Sequence, residues 1–157
     1  MVVSDRLLTH ITHTVMNATQ IMLLQQSFKK VEPIAEVAAG LFYDRLFKLD
    51  PSLRALFKGD LTDQGRKLMH AISVVVKGIS KLDTILPTVQ DLGRRHAGYG
   101  VQDEHYDTVE SALLWTLKQG LGTDFTPEVE NAWATAYGLL AGAMKEAAHE
   151  PAYVVAT

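Results

Sequence analysis

The stretch Gln90-Asp91-Leu92-Gly93-Arg94-Arg95-His96-Ala97-Gly98-Tyr99-Gly100-Val101-Gln102-Asp103-Glu104-His105-Tyr106 decides how this chain folds. Val89 and Leu92 step by three and four residues onto His96, so that histidine ends the apolar face of a helical run. Gly98 and Gly100 stop the run, and Val101 opens the turn into the next helix. A histidine so placed needs a partner for its ring. It is either a core histidine bonded to a carbonyl, or a metal ligand that uses one neutral ring nitrogen while an acceptor holds the other. What the rest of the chain brings opposite it decides between the two.

At 157 residues the chain is one ordinary domain with room for a substantial core. Its 47% hydrophobic content is globular, and a formal charge of -3 gives no basic surplus for nucleic acid. There are no cysteines, which excludes disulfides, thiolate catalysis, iron–sulfur clusters and thioether-linked haem. No apolar run approaches the ~18 residues of a membrane span. Asp5, Arg6, His10 and His13 interrupt what a signal peptide would keep apolar, so a cytoplasmic location is expected.

Residues 1–19 read as an N-terminal extension. Leu7, Leu8, Ile11 and Val15 have the spacing of a short amphipathic helix, and His10 and His13 lie three apart on one face, a spacing that suits a metal pair but has no third ligand nearby. The main domain is expected over 20–148, followed by a tail over 149–157. Its first helix spans 20–31, with Ile21, Leu24, Phe28 and Val31 inside. Pro33 starts a second helix, to Lys48, with stripes Ile34/Val37/Ala38/Leu41/Arg45 and Ala39/Gly40/Tyr43/Phe47. The small residues Ala39 and Gly40 permit another helix to approach closely, and Tyr43 points inward with a hydroxyl that wants a partner.

Asp50-Pro51 caps a short helix ending near Phe57, which either plugs the core or wedges against a flat ligand. The β-branched run Ile72-Ser73-Val74-Val75-Val76 suits a strand, but Gln64, Leu68, Ile72, Val75 and Ile79 recur at helical period over 63–79. Gly65 within that helix costs about 1 kcal/mol relative to alanine, which close packing on Ala39-Gly40 would explain. His70 falls on its solvent side. Leu86-Pro87 opens the His96 helix, Asp103 to Leu121 forms the next, and Thr126-Pro127 caps a last helix to Ala148 with Val129, Trp133, Tyr137, Leu140 and Met144 inside. The fold class is all-α.

Several markers stand in order: Phe42-Tyr43-x-x-Leu46-Phe47, Pro51, Leu56-Phe57, Gln64 with Lys67-Leu68, His96 with Gly100-Val101 and His105-Tyr106, then Ala132-Trp133-x-x-Ala136-Tyr137-Gly138. In this order the chain resembles the globin family, specifically single-domain bacterial haemoglobins and the haem domains of flavohaemoglobins. The resemblance implies a globin fold around non-covalent haem b. His96 would be the proximal ligand to iron. Phe57 would lie against the porphyrin, Tyr43, Gln64 and Leu68 in the distal pocket, Val101 at the haem edge and Tyr106 on the proximal side. Leu92 belongs to the same lining, and Lys67 and Arg95, ahead of Arg66 and Arg94, are candidates for the haem carboxylates. The family's proximal His–Tyr–Glu network lacks its acid, since that position is Ala148; Glu146 and Glu150 flank it out of register.

Oxygen bound to ferrous iron gains electron density, which the Tyr43 hydroxyl and Gln64 amide can stabilise as donors. At about 1 kcal/mol each, two such bonds slow O2 release by an order of magnitude or more. The expected function is reversible binding of O2, with NO and CO as further ligands, at high O2 affinity. A second is NO dioxygenase, converting NO and O2 to nitrate with a separate reductase; a third is gas sensing through the extension. Gln64 is a weak ligand, so an open or water-filled sixth site is expected. No nucleic acid or membrane partner is expected, and the chain is taken as a monomer or homodimer.

Overall fold

Asn17 starts the first helix. Its side chain accepts the Gln20 amide at 2.8 Å, and Gln20 Oε1 accepts the Asn17 amide at 3.0 Å, so two end-group donors are satisfied reciprocally. The computed structural model describes residues 16–150. Among them the regular elements are all helical: α1 Ala18–Val31, α2 Ala35–Leu49, α3 Leu61–Gly78, α4 Leu82–Gly98, α5 Asp103–Leu121 and α6 Pro127–Ala148. Short 3-10 turns occupy Glu32–Ile34, Pro51–Leu56, Ile79–Lys81 and Gly122–Asp124. The all-α expectation holds, and the β-branched run lies inside α3. No described helix is long and apolar enough to cross a membrane.

Polar caps fix most starts. Asp50 accepts the Ser52 amide at 3.1 Å, Asp60 the Thr62 amide at 3.0 Å, and Thr126 the Val129 amide at 3.2 Å. The third residue of α6 is Val129, so no acid completes a capping box there. Gly122 ends α5 with φ +56°, backbone that favours glycine.

One core joins α1, α3, α5 and α6 through Leu24, Phe28, Val76, Leu117, Ala132 and Trp133. Within it the Trp133 indole donates to Ser27 Oγ at 2.8 Å, and that hydroxyl donates to the Leu24 carbonyl at 3.0 Å. A second cluster centres on Phe42, Tyr43, Leu46, Leu53 and Ala112.

Two glycines mark where helices touch. A Cβ on Gly65 would lie 2.9 Å from the Ala39 methyl, so α3 crosses α2 at that pair, as expected. Gly40 takes no part: it is exposed, with nothing within 4 Å of a built Cβ. A Cβ on Gly93 would strike the Met144 carbonyl oxygen and lie 2.6 Å from its Cα, which locks α4 onto α6.

Three expectations are corrected. The His96 helix begins at Leu82 rather than at Leu86-Pro87, and Pro87 lies inside it. Ile85 and Leu86 are both buried, and Ile85 fills the space beside Gly78, so packing holds the turn ahead of the proline. The inward arc of α2 is Ala38, Ala39, Phe42, Tyr43 and Leu46, leaving Val37 62% and Ile34 36% exposed. Arg45 lies over the Trp115 ring, 5.0 Å from its centroid. The first helix starts at Ala18, and Met16 is already core. The residues Leu7, Leu8, Ile11, Val15, His10 and His13, and the tail beyond Glu150, lie outside the described residues.

Candidate functional site

The end of α4 is tied down from several sides. The Tyr99 and Val101 amides both donate to the His96 carbonyl at 3.1 Å. Gly100 turns the chain with φ +96°, and a Cβ there would meet Leu56 at 3.5 Å. His96 is half-buried, its Nδ1 2.9 Å from the Leu92 carbonyl oxygen. A carbonyl only accepts, so Nδ1 carries the proton and Nε2 keeps a lone pair. Burial, opposed by that hydrogen bond and aided by the nearby Arg95 charge, holds the imidazole pKa below its ordinary value. The side chain is thus a neutral imidazole with Nδ1 held and a lone pair left on Nε2, the state that a metal ligand requires.

On α2, Tyr43 is buried and its hydroxyl donates to the main-chain oxygen of Gln64 at 3.2 Å. Burial pushes its pKa up to about 12, so the group remains a hydroxyl donor. Phe42, Phe47 and Phe57 surround the Tyr43 ring at centroid distances of 5.1, 6.0 and 5.3 Å. Phe57 is half-buried, covered on one side by Tyr43 and Phe47. Gln64 and Leu68 are half-buried on α3, and His70 is exposed, as the spacing predicts. Leu68 also borders an apolar cavity of about 20 Å³ reaching Phe42, Ile72, Leu117 and Trp133, room for about one water-sized molecule.

These residues fit a flat apolar group with one axial ligand. Only Gly65 and Val76 of α3 are buried, while its apolar residues Leu68, Ile72 and Val75 stay half-covered. Leu92, Val101 and Val109 are half-covered too. Among the described residues no three His, Cys, Asp or Glu side chains gather to hold a bare metal ion. At the rim, Arg95 pairs with Asp91 at 3.1 Å, Arg66 with Asp63 at 3.3 Å and Arg94 with Glu150 at 2.7 Å. Lys67 is exposed and forms no ion pair among the described residues, leaving it available to a ligand carboxylate.

Tyr106 is buried near the start of α5, where the Gln102 amide donates to His105 Nδ1 at 2.9 Å. The Tyr106 carbonyl accepts the Tyr137 hydroxyl at 2.6 Å. Burial first, then the charge of Glu110, drives the Tyr137 pKa far up, so it too stays protonated. Glu146 is exposed and Glu150 is engaged by Arg94, so the flanking acids do not take the place of Ala148. Instead the Lys145 ammonium stands over the Tyr106 ring, 5.6 Å from its centroid. Sequence reasoning missed Tyr137 and Lys145 as parts of this site. Their spacing of two turns puts them on one side of α6, but nothing in the sequence shows that Tyr106 lies against that side.

Residues 40–144 match the family model described as Globin. A flavohemoprotein of Bacillus subtilis (strain 168) is 33% identical over 128 residues, 78% of this chain and 32% of that protein. A flavohemoprotein of Bacillus thuringiensis subsp. konkukian (strain 97-27) is 34% identical over 120 residues, 69% of this chain and 29% of that one. The chain therefore spans under a third of the length of these relatives. In fold it is similar to a hexacoordinated heme protein from an anhydrobiotic tardigrade, with a TM-score of 0.78 and 19% identity over 86% of this chain and 96% of that one.

Proposed function

This chain belongs to the globin family, and from that premise we propose that it holds a non-covalent haem b through His96 and binds O2 reversibly, with NO and CO as further ligands. The observation that carries this is the state of His96: Nδ1–H is committed to the Leu92 carbonyl, and Nε2 is left unprotonated with its lone pair free. Ferrous haem supplies a metal that binds diatomic gases. Phe57, Leu68, Leu92 and Val101 are half-covered apolar residues that would flank its ring; Tyr106 would lie on the proximal side, and exposed Lys67, with Arg95 drawn from its pair with Asp91, would meet its carboxylates. The Tyr43 hydroxyl and the Gln64 amide are the donors toward a bound gas, and together they favour high affinity and slow release. Oxygen equilibrium measured on the haem-loaded ferrous protein tests this: one O2 per chain, reversible on degassing, is expected.

The kinship with flavohemoproteins supports a second reading, NO dioxygenation, in which NO, O2 and one electron give nitrate. The electron would come from a separate reductase. Sustained NO consumption driven by NADH and a reductase is the expected result; consumption that stops at one equivalent per haem removes this reading.

A further inference from the structure

The outer faces of α2 and α5 form a strip of apolar surface. The two helices run antiparallel: a Cβ on Gly120 would lie 3.3 Å from Ile34 Cδ1 at one end, and Arg45 stands over Trp115 further along. Ile34, Val37, Leu41, Arg45 and Lys48 recur at helical spacing on α2 and its lead-in, as do Glu104, Thr108, Ser111 and Trp115 on α5. Val37 is 62% exposed, Ile34 36% and Leu49 42%, while Leu41 and Trp115 are half-covered. A single exposed apolar residue is ordinary. A run of them beside a stacked tryptophan and arginine has the composition of a protein interface.

The charges along this strip are unspent. Arg45, Lys48, Glu104 and Asp107 form no ion pair among the described residues, and Arg45 Nε is buried without a hydrogen-bond partner. Because the helices are antiparallel, these four gather toward one end, the cations on α2 and the acids on α5. Exposed Asp44 offsets one cation and leaves the α2 side positive. On α5, Asp103 is paired with His149 and Glu110 acts on Tyr137, while Lys118 belongs to the Ile34 end. We propose that the strip is the docking face for a second copy of this chain, about a two-fold axis parallel to the helices. That axis lays α2 of each copy on α5 of the other, apolar on apolar. It sets Arg45 and Lys48 against Glu104, with Asp107 at the edge, and repeats the match by symmetry. The proposal is independent of what His96 holds.

The test is sedimentation equilibrium of the full chain, wild type and the variants Val37→Glu, Lys48→Glu and Glu104→Lys, with circular dichroism to verify that each keeps its helix content. Wild type is expected to dimerise over micromolar concentrations, more weakly as salt is raised. Val37→Glu, which puts a charge into the apolar strip, is expected to weaken the dimer by roughly tenfold or more. Lys48→Glu and Glu104→Lys should each weaken it by roughly threefold to tenfold, since the axis counts each change twice. The two together should restore it, the coupling expected of charges that meet across copies. A wild type that stays monomeric overturns the proposal, whether the strip faces solvent or residues 1–15 cover it. A dimer indifferent to Val37→Glu and to both charge changes overturns it equally, because the copies then meet elsewhere.

Discussion

The Tyr43 hydroxyl sits 3.2 Å from the main-chain oxygen of Gln64 and donates to it. That bond joins α2 to the start of α3, one residue before Gly65 lets the two helices touch at Ala39. A donor parked on a neighbouring carbonyl is pre-positioned: it can turn to a ligand at the cost of one modest hydrogen bond. Tyr43→Phe removes it while keeping the aromatic packing against Phe42, Phe47 and Phe57. The O2 off-rate of the haem-loaded variant, followed by stopped flow, should rise about fivefold to tenfold.

The same hydroxyl has a pH signature. Its pKa is about 12 in the folded protein, against about 10 in an unfolded chain. Below pH 10 both states keep the proton and nothing changes. Between pH 10 and 12 only the unfolded chain ionises there, so stability falls as pH rises. Denaturant unfolding across that window should be less pH-dependent in Tyr43→Phe than in wild type.

Gly93 meets main-chain atoms of Met144, which cannot rotate away as a side chain would. Gly93→Ala must push α4 off α6 and should cost about 1–3 kcal/mol. A Cβ at Gly65 lies 2.9 Å from the Ala39 methyl and 4.0 Å from the Tyr43 ring, a milder clash, so Gly65→Ala should cost less. Paired urea titrations of the two variants give the ranking; equal losses would contradict it.

Ser27 is buried and is the only described acceptor of the Trp133 indole N–H. Ser27→Ala leaves that donor unpaired in the core and should destabilise by about 1–3 kcal/mol. Calorimetry measures this directly.

Helices were legible in the sequence where polar caps and period agreed. Thr126-Pro127 and Gly122 located α6 and the end of α5, and Gly65 announced the crossing at Ala39. Pro87 misled because proline usually begins a helix, whereas burial of Ile85 and Leu86 extended this one upstream. The phase of α2 was legible only in part: the stripe with Ala39 and Tyr43 is inside as read, but nearly all the circumference is apolar, and only tertiary packing selects Phe42 over Val37. His96 could be singled out from spacing, but its tautomer depends on the Leu92 carbonyl. Lys145 could not be singled out, because a lysine on a helix reads as solvated until a buried ring is found beneath it.

The proposed haem site turns on His96 Nε2 as the iron ligand. The absorption spectrum of protein expressed with haem, recorded ferrous and then with O2, tests it in wild type and His96→Ala. A five-coordinate ferrous spectrum that converts to a stable oxygenated form is expected, lost or strongly weakened in His96→Ala. Absence of stoichiometric haem, or spectra indifferent to His96, would contradict it.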